Sequence, residues 1–223
     1  GRSKRMVERY RDRWASLPKA KQQLLLEEET RLESLEKAVQ SAVGQAFQEG
    51  TFYFRGQQLR PRDLGAAFFP ALLAAATRVL PELYPFATDL IAVTDTEIVQ
   101  LLEPELSGPS TKFLDGGLGI LSLDDQKYVA TCKGEHPTRI LKLIRESNWI
   151  SGQTLIATFV GPPNGYPSDL VRACCAGLLR AKLVRIRPEN GDDITSYRDA
   201  GTRDLFTKDR AFRKAEFLLP SEG

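Results

Sequence analysis

The side chains that could do chemistry in this chain are three cysteines, one histidine, one glycine–proline loop and a pair of aspartates. Cys132 stands four positions before His136, a spacing at which a thiol and an imidazole can form a nucleophile–base pair. His136, however, directly precedes Pro137 at the start of an apolar, helix-periodic stretch, and there it reads better as part of a helix start. A single histidine with Cys132 and the distant pair Cys174 and Cys175 fits no standard zinc spacing. The cysteine count is odd, and two thiols are adjacent inside an apolar helical pattern. That pattern predicts buried thiols in a reducing compartment and not a disulfide framework. Gly161-Pro162-Pro163-Asn164-Gly165 precedes a helix, but its prolines lack the N–H groups that would cradle a phosphate. No Gly-x-x-x-x-Gly-Lys-Ser/Thr loop occurs anywhere. Asp124 and Asp125 sit at a turn with no second acidic site to work with, so a solvated turn is expected. The chain is therefore expected to be non-catalytic and to hold no cofactor or metal of its own.

What such a chain does must then lie in its surfaces. Its 223 residues carry 31 basic and 29 acidic side chains, a net charge of +2, so there is no global attraction to nucleic acid or membrane. A hydrophobic fraction of 42% supplies a core. No apolar run approaches the ~20 residues of a membrane span, and no membrane partner is expected. The chain opens Gly1-Arg2-Ser3-Lys4-Arg5 without an initiator Met or an apolar signal region, as expected of a piece of a larger cytoplasmic protein.

The fold class read from the pattern is mainly α (α+β), in three segments. Residues 1–50 form a long amphipathic helix or coiled-coil arm. Pro18 starts or kinks it, and Leu25, Leu32, Leu35, Val39, Ala42 and Ala46 follow at near-heptad spacing. Charges are segregated along this arm, basic up to Lys21 and acidic from Glu27 to Glu36. An arm that pairs with another helix, a basic tail that contacts phosphates, and a helix packed on the body all fit. Gly50 ends the helix. Residues 51–134 form a helical middle region. It opens with a small hairpin, Thr51 to Leu59, whose Phe52 and Phe54 pack under the helices or stack bases beside Arg55 and Arg60. A helix follows over about 61–80, its stretch Phe68 to Leu73 expected to be buried. Thr94-Asp95-Thr96-Glu97 caps another. Between Leu106 and Gly134 turns dominate.

Residues 135–223 read as a winged helix-turn-helix. Helices are expected over 137–147, over 152–160 with Ser151 as cap, and over 167–182. A strand at 183–187 should then return at 194–197, and a last helix should run from about 202 through Phe217. On this reading Asp169, Arg172, Ala173 and Ala176 form the outer face of the third helix, with Arg180 at its end. Candidate contacts to DNA or a partner are Arg172, Arg180, Lys182, Arg185, Arg187 and Arg198. The third helix is sparse for reading bases, and Glu189, Asp192 and Asp193 would repel DNA at the wing tip. Protein docking is therefore favoured over nonspecific DNA contact.

The loop and the helix after it also carry a resemblance. Gly161-Pro162-Pro163-Asn164-Gly165-Tyr166-Pro167-Ser168-Asp169-Leu170-Val171-Arg172, followed by Leu178-Leu179-Arg180-Ala181, resembles the Pro-Pro-Tyr-Gly-Trp-Pro-x-Asp…Leu-Leu stretch of a family of large P-loop ATPases. These are the BrxC/PglY-like proteins of the bacteriophage-exclusion (BREX) and Pgl defence systems. Here Asn-Gly-Tyr-Pro stands in place of Tyr-Gly-Trp-Pro. Gly50-Thr51-Phe52-Tyr53 with Gly56, and Leu83-Tyr84-Pro85-Phe86 with Val93-Thr94-Asp95, are similar too. The resemblance spans about residues 30–215. It implies a C-terminal region of a phage-defence ATPase, with ATP and Mg bound elsewhere in the parent protein. It also implies partners among the parent's other domains and the defence-system proteins, with oligomers and nonspecific DNA contact in scope. From a different class, a free-standing winged-helix regulator with a coiled-coil dimerisation arm fits the same residues.

Overall fold

A computed structural model describes residues 2–87 and 90–220, the side chains of Arg2 and Ser3 excepted. The described residues are mainly helical, with three small sheets among them. It divides into two compact units, Gly1–Leu80 and Pro81–Gly223, where the sequence reading has three segments with limits at 50 and 134.

The N-terminal unit is built on two helices, α1 (Arg2–Arg11) and α2 (Lys19–Glu49). Pro18 immediately precedes α2, where its fixed φ suits a helix start. Gly50 closes the helix with its N–H on the Phe47 carbonyl at 3.1 Å. Strands β1 (Phe52–Phe54) and β2 (Gln57–Leu59) pair antiparallel, Phe52 opposite Leu59. Their two-residue turn has Arg55 and Gly56 both at positive φ, 47° and 82°, the conformation that suits the right-handed twist of a hairpin. Phe52 meets the ring of Phe47 edge-on at 5.7 Å, so packing and not base stacking accounts for it. The helix expected over 61–80 breaks at Gly65 into α3 (Pro61–Leu64) and α4 (Phe68–Leu83).

One expectation here is overturned. The apolar stretch Phe68 to Leu73 is not a buried core helix, for only Ala71 and Ala75 of α4 are buried. Phe69 and Leu73 are 78% and 69% exposed. Apolar character alone does not bury a helix, and Phe68 and Leu72 are also exposed, at 47% and 42%.

The C-terminal unit holds the hydrophobic core, a continuous cluster from Val93 to Phe217. Helix α5 (Asp95–Gln100) begins in a capping box formed by Thr94 and Glu97. Strands β3 (Leu121–Asp124) and β4 (Lys127–Ala130) form a hairpin the turn-rich sequence concealed, with Asp125 and Gln126 in its tight turn. Then come α6 (Glu135–Ser147), β5 (Trp149–Ser151), α7 (Gly152–Val160) and α8 (Ser168–Arg180). Ser151 caps α7 through the Thr154 N–H at 3.1 Å. After α8 follow β6 (Arg185–Arg187), α9 (Thr202–Thr207), α10 (Asp209–Lys214) and β7 (Glu216–Leu218).

The last sheet corrects the expected hairpin. Its order is β5-β7-β6, and both pairings are antiparallel. The return strand is thus β7 at 216–218, not 194–197. Only Ile194 bridges Ile186. The reason is local: the Asp199 carboxylate accepts the amides of Thr195 and Ser196 at 2.8 and 2.9 Å, which takes those donors out of any ladder. The segment expected as one final helix through Phe217 is two short helices and a strand. Phe212 and Phe217 still point inward, their rings 5.0 Å apart.

Candidate functional site

Helix α8 decides what the surface of this unit can do. Every residue from Leu170 to Leu179 is buried, with α5, α6, α7, α9 and β4 packed around it. Two thiols, Cys174 and Cys175, lie within it, and Cys132 is buried beside them. All three are free. Burial pushes Cys132 up to about 12, and Cys174 and Cys175 also rise, so none is a thiolate near neutral pH. The ring of His136 packs edge-on against Tyr166 at 4.8 Å.

The outer face assigned to the third helix therefore does not exist: Arg172, Ala173 and Ala176 are inside. Arg172 is 6% exposed. Its guanidinium donates to the Phe206 carbonyl at 2.7 Å, to Asp95 at 2.8 Å and to Asp169 at 2.6 Å. Burial opposes its charge, but Asp169 and Asp95 outweigh that and raise its pKa. Arg172 thus ties α8 to the start of α5 and to α9. Arg180 is committed as well. It donates to the carbonyls of Leu101, Glu103 and Pro104 at 3.0, 2.6 and 3.3 Å and lies 4.0 Å over the Tyr197 ring. It satisfies the carbonyls where α5 ends, a structural duty suited to a planar fork of donors.

The other four candidates lie at the surface or are partly exposed, and two of them are ion-paired. Arg185 pairs with Asp193 and donates to the Leu219 carbonyl at 3.1 Å. Arg187 reaches Asp193 at 3.2 Å and Glu216 at 3.5 Å. Asp193, expected to repel DNA, instead neutralises the two arginines expected to attract it. Glu189 is likewise held by Lys214 at 2.6 Å. Lys182 and Arg198 are exposed and make no ion pair among the described residues. Lys182 and Arg185 line one open cleft of about 410 Å³ with Val184, Thr195, Ser196 and Pro220. Arg198 leans on Tyr197, its Nε 3.2 Å from the hydroxyl.

The Gly161–Gly165 loop spends its remaining amides internally. Asn164 and Gly165 both donate to the Gly161 carbonyl, at 3.1 and 3.2 Å, and Tyr166 donates to Phe159 at 2.7 Å. None is left pointing at a ligand. Among the described residues no cluster of three or more metal-ligating side chains occurs. No helix among them is long and apolar enough to cross a membrane.

One charged constellation escaped the sequence reading. Glu97 was legible as a cap partner for Thr94, but Ser110 and Lys112 also converge on it, at 2.9 and 3.1 Å. Burial raises its pKa. Lys112, the Thr94 amide, and the Ser110 and Thr94 hydroxyls overcome that and hold it at about 2, below its ordinary 4.5. A depressed carboxylate stabilises the fold above its unfolded pKa and loses that contribution as pH falls toward the folded value. We expect stability to drop as pH falls from 4.5 to about 2, and the slope to flatten in Glu97→Gln. Denaturant titrations across that window check it. Equal slopes in the two proteins would show that Glu97 is not the group responsible.

No protein-family model, no curated protein and no solved structure matches this chain.

Proposed function

We propose that this chain is a non-catalytic docking region of a BREX/Pgl-type phage-defence ATPase, built on a winged-helix variant and acting through protein contacts. Its partners would be the other domains of the parent ATPase and the defence-system proteins, and the parent would bind ATP and Mg outside this chain. The resemblance in the Gly161–Ala181 stretch supports the family. The order α6-β5-α7-α8-β6 with β7 inserted between β5 and β6 supports the winged-helix variant, its wing lengthened by α9 and α10. Protein docking does not need the third helix to be free, whereas groove reading does.

The observation that carries this reading is the burial of α8. A winged helix that reads DNA presents its third helix to the major groove. Here that helix is the centre of the core. The four surface cations are half neutralised, which leaves Lys182 and Arg198 to meet phosphates. Two such contacts give a shallow dependence on salt, since each phosphate neutralised adds about 0.9 to the slope of log K against log salt.

Fluorescence anisotropy with random and palindromic duplexes at two salt concentrations tests the proposal. The expected result is weak binding without sequence preference, with a slope of about −2 or shallower. Sequence-selective binding would sink it in favour of the free-standing regulator.

A further inference from the structure

The β1–β2 hairpin has two unlike faces, because successive strand residues point to opposite sides. Phe52, Phe54 and Leu59 share the inner side, with Leu59 buried and Phe52 against the Phe47 ring at 5.7 Å. Tyr53 is turned outward and is 73% exposed. Gln58 stands directly across from it, also exposed. Arg60 continues past β2 in extended backbone, φ −89° and ψ 125°, so alternation returns it to the side of Gln58 and Tyr53. It is the diagonal neighbour of Tyr53, a separation that a long side chain spans.

The hairpin is also electropositive. Residues 50–62 hold Arg55, Arg60 and Arg62 and no carboxylate. Arg60 is exposed and makes no ion pair among the described residues. Arg62 reaches its neighbour Asp63 at 3.9 Å with 60% of its side chain exposed, a contact worth little in water. Both arginines line an open cleft of about 350 Å³ with Gln48, Glu49, Gly50 and Thr51. Glu49 there accepts the Gln45 amide at 2.9 Å. A flat aromatic ring thus stands beside a hydrogen-bonding amide, with two arginines following along the chain.

We propose that this outer face binds single-stranded nucleic acid: a base stacks on Tyr53, the Gln58 amide meets its edge, and the neighbouring phosphates lie on Arg60 and Arg62 along the cleft. An unpaired nucleotide joins a flat base to an anion one sugar away, and no unmodified protein side chain carries both. An acidic peptide satisfies the arginines and leaves the ring unused. A duplex keeps its bases stacked on one another, so it has none to give the ring. Every base has a π face, and a glutamine amide both donates and accepts, so the face tolerates any sequence. DNA and RNA strands share this chemistry. The inference goes beyond the docking role of the C-terminal unit and does not depend on it.

Fluorescence anisotropy of the full chain with labelled oligo(dT), oligo(U) and a duplex of equal length tests the proposal. Single strands should bind more tightly than the duplex. Tyr53→Thr keeps a β-branched residue in the strand but removes the ring, and should weaken strand binding by at least about fivefold. Tyr53→Phe should bind as the parent does. Arg60→Gln should reduce the slope of log K against log salt by about 0.7. Both side chains are exposed, so the melting of these variants should match the parent. The same dependence on Tyr53 with only one of the two strands supports the proposal and tells RNA from DNA. An absence of strand binding, a duplex bound as tightly as the strands, or a Tyr53→Thr variant that binds like the parent overturns it. Polyglutamate that displaces the strands from such an insensitive variant would mark a site for acidic protein instead. Each of these results leaves the docking reading of the C-terminal unit standing.

Discussion

Arg172→Met is expected to destabilise the C-terminal unit by about 2–4 kcal/mol. Methionine keeps most of the aliphatic stem but none of the donors. The Phe206 carbonyl would lose its partner inside the core, and α5 and α9 would lose their common tie to α8. Asp95 and Asp169 would not be stranded, because both are partly exposed and can rehydrate. Asp95→Asn and Asp169→Asn should therefore each cost about 1 kcal/mol or less. Equilibrium urea unfolding checks the series. If Arg172→Met were as stable as the parent, the guanidinium would not be the buried tie described here. The effect also bears on function: an Arg172 variant that fails to bind a partner would fail by unfolding, not by losing a contact.

Gly152→Ala should be nearly as damaging, for a different reason. Gly152 opens α7 where the chain meets the end of α10. A Cβ there would run into the Phe212 carbonyl oxygen and crowd the Phe212 ring at 3.1 Å. Backbone cannot step aside as a side-chain tip can. The Gly152 N–H also donates to the Ala215 carbonyl at 2.8 Å, just before β7, so moving α10 away would pull on the central strand of the sheet. We expect a loss of about 3 kcal/mol, and a melting temperature lower by about 6–12 °C for a unit of this size. A thermal melt within about 2 °C of the parent would contradict the packing of α7 on α10.

The sequence was most readable where the determinant is local. Thr94-x-x-Glu97, Ser151 before α7, Gly50 after α2 and the Phe54-Arg55-Gly56-Gln57 turn each specify their own geometry within a few residues, and each forms as expected. The order of α6, α7, α8 and β6 was legible for the same reason. The return strand was not. Thr195 and Tyr197 have the β-branched and aromatic character of a strand, yet Asp199, four residues beyond Thr195, captures the amides a strand would use. Glu216-Phe217-Leu218 is too short to announce itself as the central strand of a sheet.

Burial was the harder matter, in both directions. Leu170, Val171, Cys174, Leu178 and Leu179 gave α8 an apolar stripe, and the rest of the helix was read as a face for contact. Ala173, Ala176 and Gly177 are small enough to sit against neighbours on the other sides, and Arg172 is buried because Asp95, from far away in the chain, comes to meet it. Periodicity reports the apolar side of a helix and says nothing about whether small residues opposite are also covered. In α4 the error ran the other way: Phe69, Leu72 and Leu73 are as apolar as core residues, yet they are 78%, 42% and 69% exposed. Of the six candidate contacts, Arg172 and Arg180 are held within the unit: the terminal nitrogens of Arg172 donate to Phe206, Asp95 and Asp169, and those of Arg180 donate to the carbonyls of Leu101, Glu103 and Pro104.

Hydrogen exchange of the α8 amides, with and without duplex DNA, decides whether the third helix is the core of this unit or a reading surface. Amides from Leu170 to Arg180 should be among the slowest to exchange in the chain, opening only with global unfolding of the unit, and duplex DNA should leave them unchanged. Fast exchange along α8, with added protection when DNA is present, would contradict the account.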